Sequence, residues 1–237
     1  MALPRASAPR YKLTIPSTKK DVFFRPFLVK EEKALMIAQQ SEDPEVMLET
    51  LKGVVKDCIL DDVDVDKLAL FDIEYIFAQL RARSVGEIVE LILRCDTCDD
   101  EKAKVTYNVD LSKIKVDVPK DHTNNIPLFE DVGVIMKYPS MQVLKKMESM
   151  NITDFESVFE IICMCIDSVY NSEEVFPASE QSKEELSEFV NNLTQDQFKK
   201  LQHFFETMPK LEEKVQYRCP VCSKEHEKYI RGLESFF

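Results

Sequence analysis

The sequence predicts an α+β fold: a helical body with β-hairpins. Three observations support this class. Helical periodicity marks residues 29–83 and 182–208, whereas short segments of alternating polarity lie before and between them. Two Cys-x-x-Cys pairs occupy the tips of two predicted hairpins. The chain has 237 residues, of which 44% are apolar, and this is sufficient for a buried core.

Residues 1–83 are predicted to form an N-terminal domain that consists of a hairpin followed by helices. β-rich segments at 11–15 and 21–27 are separated by a polar turn, which is typical of a hairpin. Three helical patterns then follow, at 29–40, at about 43–59 with Pro44 in the first turn, and at about 66–83.

Residues 84–237 are predicted to form a second domain. Its expected frame is a pair of zinc-ribbon-like β-hairpins, at about 84–118 and 210–231, with a mainly helical insertion between them. Ser182 and Thr194 each precede Glu or Gln by three residues, so each begins a capping box and a helix. The other expected elements are strands at 114–118 and 132–138, a turn-rich stretch at 120–127, and helices at about 140–150 and 154–170.

Two segments of similar sequence, Leu93–Cys98 and Tyr217–Cys222, carry the predicted metal site. Each reads Arg-Cys-x-x-Cys within β-rich flanks. Such a turn directs two thiolates to one side, and two turns supply the four tetrahedral sulfur ligands, at about 2.3 Å, that Zn²⁺ prefers. We therefore predict one structural zinc per chain that joins the middle and C-terminal segments. Its ligands are Cys95, Cys98, Cys219 and Cys222.

These cysteines also admit other interpretations. About 120 residues separate the two pairs, whereas compact zinc ribbons place them about 15 to 20 residues apart. A redox pair would need a βαβ context, which neither pair has. His226 follows Cys222 by four residues and stays open as a substitute ligand. Four ligands would fill the coordination shell, so the site is expected to be structural and not catalytic.

Composition argues against several function classes. A net charge of −12 disfavours nucleic acid as a partner, because phosphate contacts need surplus Lys and Arg. No stretch approaches the roughly 18 apolar residues of a membrane span, and the first residues lack the apolar core of a secretory signal. The sequence also shows no catalytic constellation and no glycine-rich phosphate loop. We therefore expect a cytoplasmic protein that is not an enzyme.

The segments Phe24–Lys33 (FRPFLVKEEK) and Arg83–Glu87 (RSVGE), with the two Cys-x-x-Cys pairs, resemble the T4-type bacteriophage baseplate hub and hub-assembly proteins. The resemblance implies a late viral protein that helps to build the central hub of a contractile-tail baseplate, as an assembly chaperone or a minor hub subunit. It implies other baseplate hub or tail proteins as partners, and a location in the host cytoplasm during assembly or in the virion tail. It supplies no catalytic residues.

A zinc-ribbon nucleic-acid-binding protein is the alternative function. It would need a basic face beside the knuckles. The first knuckle is instead crowded by acids, at Asp96, Asp99, Asp100 and Glu101.

Overall fold

The computed structural model describes residues 8–41, 43–98, 100–140, 143 and 155–231. They combine helices with small antiparallel sheets, which confirms the predicted α+β class. The chain divides into two compact units, made of the described parts of 1–65, 71–117 and 210–237, and of 66–70 and 118–209. The predicted domain boundary at residue 83 stays a prediction. Among the described helices, none is both long and apolar enough to cross a membrane.

The N-terminal elements follow the sequence pattern closely. Strands β1 (Tyr11–Thr14) and β2 (Asp21–Phe24) pair antiparallel as the predicted hairpin. Helices α1 (Val29–Gln40) and α2 (Pro44–Cys58) have the expected bounds, and the Asp43 side chain caps α2 by accepting from the Glu45 N–H. Helix α3 (Leu70–Ser84) begins later than expected, because the chain first makes a short 3₁₀ turn that buries Val65.

A buried ion pair fixes the start of α1. Glu31 is only 3% exposed, and its carboxylate accepts hydrogen bonds from the Arg25 guanidinium at 2.7 Å and from the Leu28 N–H at 2.8 Å. Burial alone would raise the pKa of Glu31, but the hydrogen bonds from Arg25, Leu28 and Lys30 lower it to about 2. The carboxylate therefore stays ionised and holds the residues before the helix.

The two family-like segments meet in space. The Phe27 N–H donates to Ser84 Oγ at 3.0 Å, and Ser84 Oγ donates in turn to the Leu80 carbonyl in the last turn of α3. The Phe27 ring also stacks on Phe77, with 6.5 Å between ring centroids. The Arg-Pro-Phe and Ser-Val-Gly-Glu segments thus join α1 to α3, which is a structural role.

Two further hairpins complete the first unit. Strand β3 (Ile88–Arg94) pairs with β4 (Lys104–Asp110), and β10 (Lys210–Arg218) pairs with β11 (Glu225–Arg231). Both hairpins were predicted. The short β5 (Val116–Asp117) adds to the other edge of β10. Apolar side chains from these strands and from α3 form a shared core of Ala78, Ala82, Val89, Val109, Leu111, Ile114, Leu211, Val215 and Ile230.

The second unit is built on a four-stranded antiparallel sheet of order β6-β7-β8-β9. The strands are β6 (Asn125–Phe129), β7 (Val132–Met136), β8 (Ile166–Tyr170) and β9 (Val175–Pro177). The helices are α4 (Phe155–Met164), α5 (Lys183–Asn191) and α6 (Gln195–Glu206). Ser182 and Thr194 cap α5 and α6 with complete capping boxes, as predicted. The core includes Val134, Met136, Ile162, Cys165, Ile166, Leu201 and Phe204.

Two expectations for this unit were wrong in their C-terminal parts. The helix expected over 154–170 ends at Met164, because the following residues pair with β7 and bury Ile166 and Ser168 on one face. The turn-rich stretch expected over 120–127 gives way to β6 at Asn125, where Pro127 is accommodated because β6 is an edge strand. Of the helix expected over about 140–150, only Ser140, which forms an isolated β-bridge with Ala69, and the helical Val143 lie within the described residues.

His122 joins three segments of the second unit. Its Nε2 lies 2.9 Å from the Tyr138 hydroxyl and its Nδ1 lies 3.0 Å from Thr207 Oγ1. Because Thr207 Oγ1 donates its own proton to the His203 carbonyl, it accepts from His122, and Nε2 then accepts from Tyr138. Burial lowers the pKa of His122, so the neutral imidazole is favoured.

Candidate metal centre

The tips of the β3–β4 and β10–β11 hairpins bring the four predicted ligands together. The Cys95 N–H donates to the Ala103 carbonyl at 3.0 Å, which closes the first tip. In the second tip, the Cys219 N–H donates to the Lys224 carbonyl at 2.9 Å, and Ser223 adopts a positive φ of 58° at the turn. Each tip is a tight knuckle that directs two sulfurs to one side.

The four sulfurs form one cluster. The Sγ atoms of Cys95, Cys98, Cys219 and Cys222 all lie within 4.8 Å of one another. Between the two knuckles, Cys95 Sγ is 3.8 Å from Cys222 Sγ, and Cys98 Sγ is 3.9 Å from Cys219 Sγ. The structure therefore places together two pairs of cysteines that are far apart in the sequence.

This spacing fits a metal ion. Ligands about 2.3 Å from a tetrahedral zinc lie about 3.8 Å from one another, which matches the two contacts between knuckles. A disulfide requires about 2.05 Å between sulfurs, and all seven cysteines of the chain are free thiols. The cluster can hold a metal, and the assignment of these four residues as its ligands stays a prediction.

The local electrostatics also favour a cation at this position. A hydrogen bond with Thr97 lowers the pKa of Cys95 to about 5, whereas the neighbouring Cys222 raises the pKa of Cys98 to about 12. Four sulfurs this close cannot all ionise without a compensating charge, because their thiolates would repel one another. The Val221 N–H, 3.4 Å from Cys219 Sγ, is an additional donor to a thiolate.

His226 lies beside the cluster. Its Nε2 is 3.1 Å from Cys95 Sγ, and its ring stacks on Tyr217 with 5.1 Å between ring centroids. Among the described residues, the potential ligand atoms that all lie within 4.8 Å of one another are nevertheless the four cysteine sulfurs. His226 is therefore placed to contact the Cys95 sulfur, while the sulfurs alone complete a four-atom shell.

Contacts that the sequence analysis missed hold the two hairpins together next to the sulfurs. The Tyr217 hydroxyl donates to the Arg94 carbonyl at 2.7 Å. Lys228 Nζ donates to the same carbonyl at 3.1 Å and to the Asp96 carboxylate at 2.6 Å. The only signal in the sequence is that Tyr217 and Lys228 lie in strands beside the second knuckle, which does not reveal their partners.

The remaining three cysteines are not members of this cluster. Cys58 and Cys165 are fully buried and Cys163 is half-buried. Burial raises the pKa of Cys58 and Cys163 to about 11 and that of Cys165 to about 12, so these thiols stay protonated. They behave as small core residues, in agreement with their apolar sequence context.

Comparison with known proteins covers almost the whole chain. A family model described as "T4 bacteriophage base plate protein" matches residues 8–237. The chain is also 25% identical over 228 residues to the "Baseplate hub assembly protein gp26" of Enterobacteria phage T4, which covers 96% of this chain and 97% of that protein. No solved structure matches the chain significantly. Since the family match includes both hairpins and both knuckles, the chain belongs to the T4 bacteriophage base plate protein family.

Proposed function

We propose that this protein acts in the assembly of the central hub of a phage baseplate, through contacts with other baseplate hub or tail proteins. The main support is that the similarity to a hub assembly protein extends over nearly the full length of both chains, so it is not confined to one shared module. The protein works without catalysing a reaction, as an assembly chaperone or a minor hub subunit. It acts in the host cytoplasm and, as a subunit, stays in the virion baseplate.

The surface around the knuckles supports a protein partner over a nucleic acid. The exposed residues beside the first knuckle include Asp96, Asp100 and Glu101. Lys228, which lies next to this knuckle, is already paired with Asp96. Arg94, Lys102 and Lys224 are exposed here as well, so the charges around the knuckles are mixed. This surface, together with the net charge of −12, lacks the surplus of Lys and Arg that phosphate contacts need.

The cysteine cluster serves as a structural zinc site in this proposal. Zinc would be held by Cys95 and Cys98 from one hairpin and by Cys219 and Cys222 from the other. When bound, it supplies a cross-link between the two hairpins and offers no reaction site, because four thiolates leave no open position for substrate or water. Elemental analysis should give one zinc per chain in protein purified without chelator. A value near zero, or iron in a coloured cluster, would contradict the zinc assignment.

The assembly role is tested by infection with a phage whose gene for this protein is deleted. We expect incomplete tails that lack a functional hub, with rescue by the wild-type gene supplied from a plasmid. The protein content of purified wild-type particles then separates the two roles, since a chaperone is absent from particles and a subunit is present. Normal infectivity of the deletion phage would refute the proposal.

A further inference from the structure

Strand β3 has one edge that pairs with β4 and one edge that points away from it. The two strands form a two-stranded sheet in antiparallel register. The Cys95 N–H bonds to the Ala103 carbonyl, and the Glu87 carbonyl accepts from the Leu111 N–H. Backbone groups alternate in direction along an antiparallel strand. The N–H and C=O groups of the odd-numbered residues of β3 therefore point towards β4, and those of the even-numbered residues point away from it.

The outward backbone groups are open over one stretch of β3. Within the described chain, the outward N–H and C=O groups of Ile88, Glu90 and Ile92 have no backbone partner. The next outward carbonyl, that of Arg94, accepts hydrogen bonds from side chains of β10 and β11. This contact agrees with the assigned direction and marks where the free edge ends.

The side chains on this stretch leave the edge accessible. Ile88 is 54% exposed and Ile92 is 69% exposed. Glu90 is exposed between them on the same face and has no ion pair among the described side chains. Natural edge strands are usually blocked by charged side chains, by Pro or by a bulge, and in residues 88–92 Glu90 is the single such feature. An open edge with two exposed isoleucines and one acid is a template for a strand that carries a base opposite that acid.

We propose that the β3 edge from Ile88 to Ile92 receives an extended strand of a baseplate hub partner, and that this strand places Lys or Arg opposite Glu90. Apolar residues of the partner lie on either side of that Lys or Arg and pack on Ile88 and Ile92. Backbone hydrogen bonds supply the affinity and the side-chain pattern supplies the specificity. This inference rests on the proposed assembly function and names the surface that carries it out.

A second copy of the chain fits this edge less well. Antiparallel pairing of two copies over residues 88–92 places Glu90 directly opposite Glu90, and like charges in that position are destabilising. A register shifted towards the knuckle would use the Arg94 carbonyl, which is already bonded to Tyr217 and Lys228. The net charge of −12 also opposes self-association.

The test compares edge variants for capture of the hub proteins of the same phage, co-expressed with the full chain. Ile92→Pro removes one outward N–H and no hydrogen bond to β4, and proline is tolerated on edge strands. Glu90→Lys reverses the charge. Each should reduce capture at least tenfold, whereas the control Ile92→Val, which keeps the N–H and an apolar side chain, should stay within about threefold of wild type. Zinc content and unfolding temperature report whether each variant is folded.

Hydrogen exchange on the wild-type complex supplies a second measurement, which does not depend on whether a variant folds. The amides of Glu90 and Ile92 should exchange at least tenfold more slowly in the complex than in the free chain. Capture without this protection, or full capture by both edge variants, would overturn the edge inference and leave the assembly function standing. Protection of these amides in the isolated protein that grows with concentration would identify a second copy and overturn the choice of partner. Failure of the wild-type chain to capture any hub protein would count against the assembly function and the edge together.

Discussion

Replacement of Cys95 or Cys219 by alanine should release the proposed zinc and lower the free energy of unfolding by about 5 kcal/mol. The magnitude follows from the number of residues in the loop between the cysteines that the site would join. Cys98 and Cys219 have sulfurs in contact although they are 121 positions apart. A cross-link across a loop of this length restricts the unfolded chain by about 5 kcal/mol in the entropic account. Zinc at a thousand times its dissociation constant would stabilise by a similar amount, about 4 kcal/mol.

The two substitutions should not be additive. Each removes one ligand from the same proposed shell, so the double variant Cys95→Ala/Cys219→Ala should lose about as much stability as either single variant. Urea denaturation followed by circular dichroism gives the free energies, and elemental analysis gives the zinc per chain. Cys163→Ala is the matched control, because this half-buried cysteine lies on α4 outside the cluster and its loss should leave the zinc content unchanged.

Two results would refute this reasoning. A double variant destabilised by the sum of the single losses would mean that the two knuckles serve separate sites. Full zinc content in Cys95→Ala, with wild-type stability, would mean that Cys95 is not a ligand, and it would direct attention to His226, whose Nε2 lies 3.1 Å from Cys95 Sγ.

Three further predictions concern stability. Glu31→Ala should cost about 3 kcal/mol, because it leaves the partly buried Arg25 guanidinium without its carboxylate partner, and a loss below about 1 kcal/mol in urea denaturation would contradict the ion-pair argument. Ser182→Ala and Thr194→Ala should each cost about 1 kcal/mol through loss of an N-cap, and substitution by glycine should cost less than by alanine. Since burial lowers the pKa of His122 below its usual 6.5, the contribution of the neutral ring is complete above that pH and declines as the pH falls below it. His122→Asn should therefore reduce the slope of unfolding free energy against pH between 7 and 5, and an unchanged slope would exclude this role.

Elements governed by local interactions were predictable from the sequence. The capping boxes at Ser182 and Thr194 involve side chains only three residues apart, so the sequence locates the starts of α5 and α6 directly. Pro44 and the Asp43 cap define the start of α2 for the same reason. Both hairpins that carry the knuckles were likewise visible as alternating segments around tight turns.

Elements decided by distant partners were not predictable. Residues 166–170 continue the apolar pattern of the preceding helix, and their pairing with β7, 30 or more positions earlier in the chain, makes them a strand. Residues 125–129 contain Pro127, which reads as a turn signal in isolation. Its place on an edge strand, opposite Gly133, is a property of the sheet.

The same division holds for the candidate metal centre. The sequence by itself determined that each Cys-x-x-Cys turn presents two sulfurs on one side, because this depends only on the geometry of a short turn. Only the tertiary structure decided that the two turns meet, with all four sulfurs within 4.8 Å. That meeting depends on the core shared by the two hairpins and on the contacts of Tyr217 and Lys228 with the backbone of Arg94. Such contacts join positions more than 120 residues apart, and no local pattern encodes them.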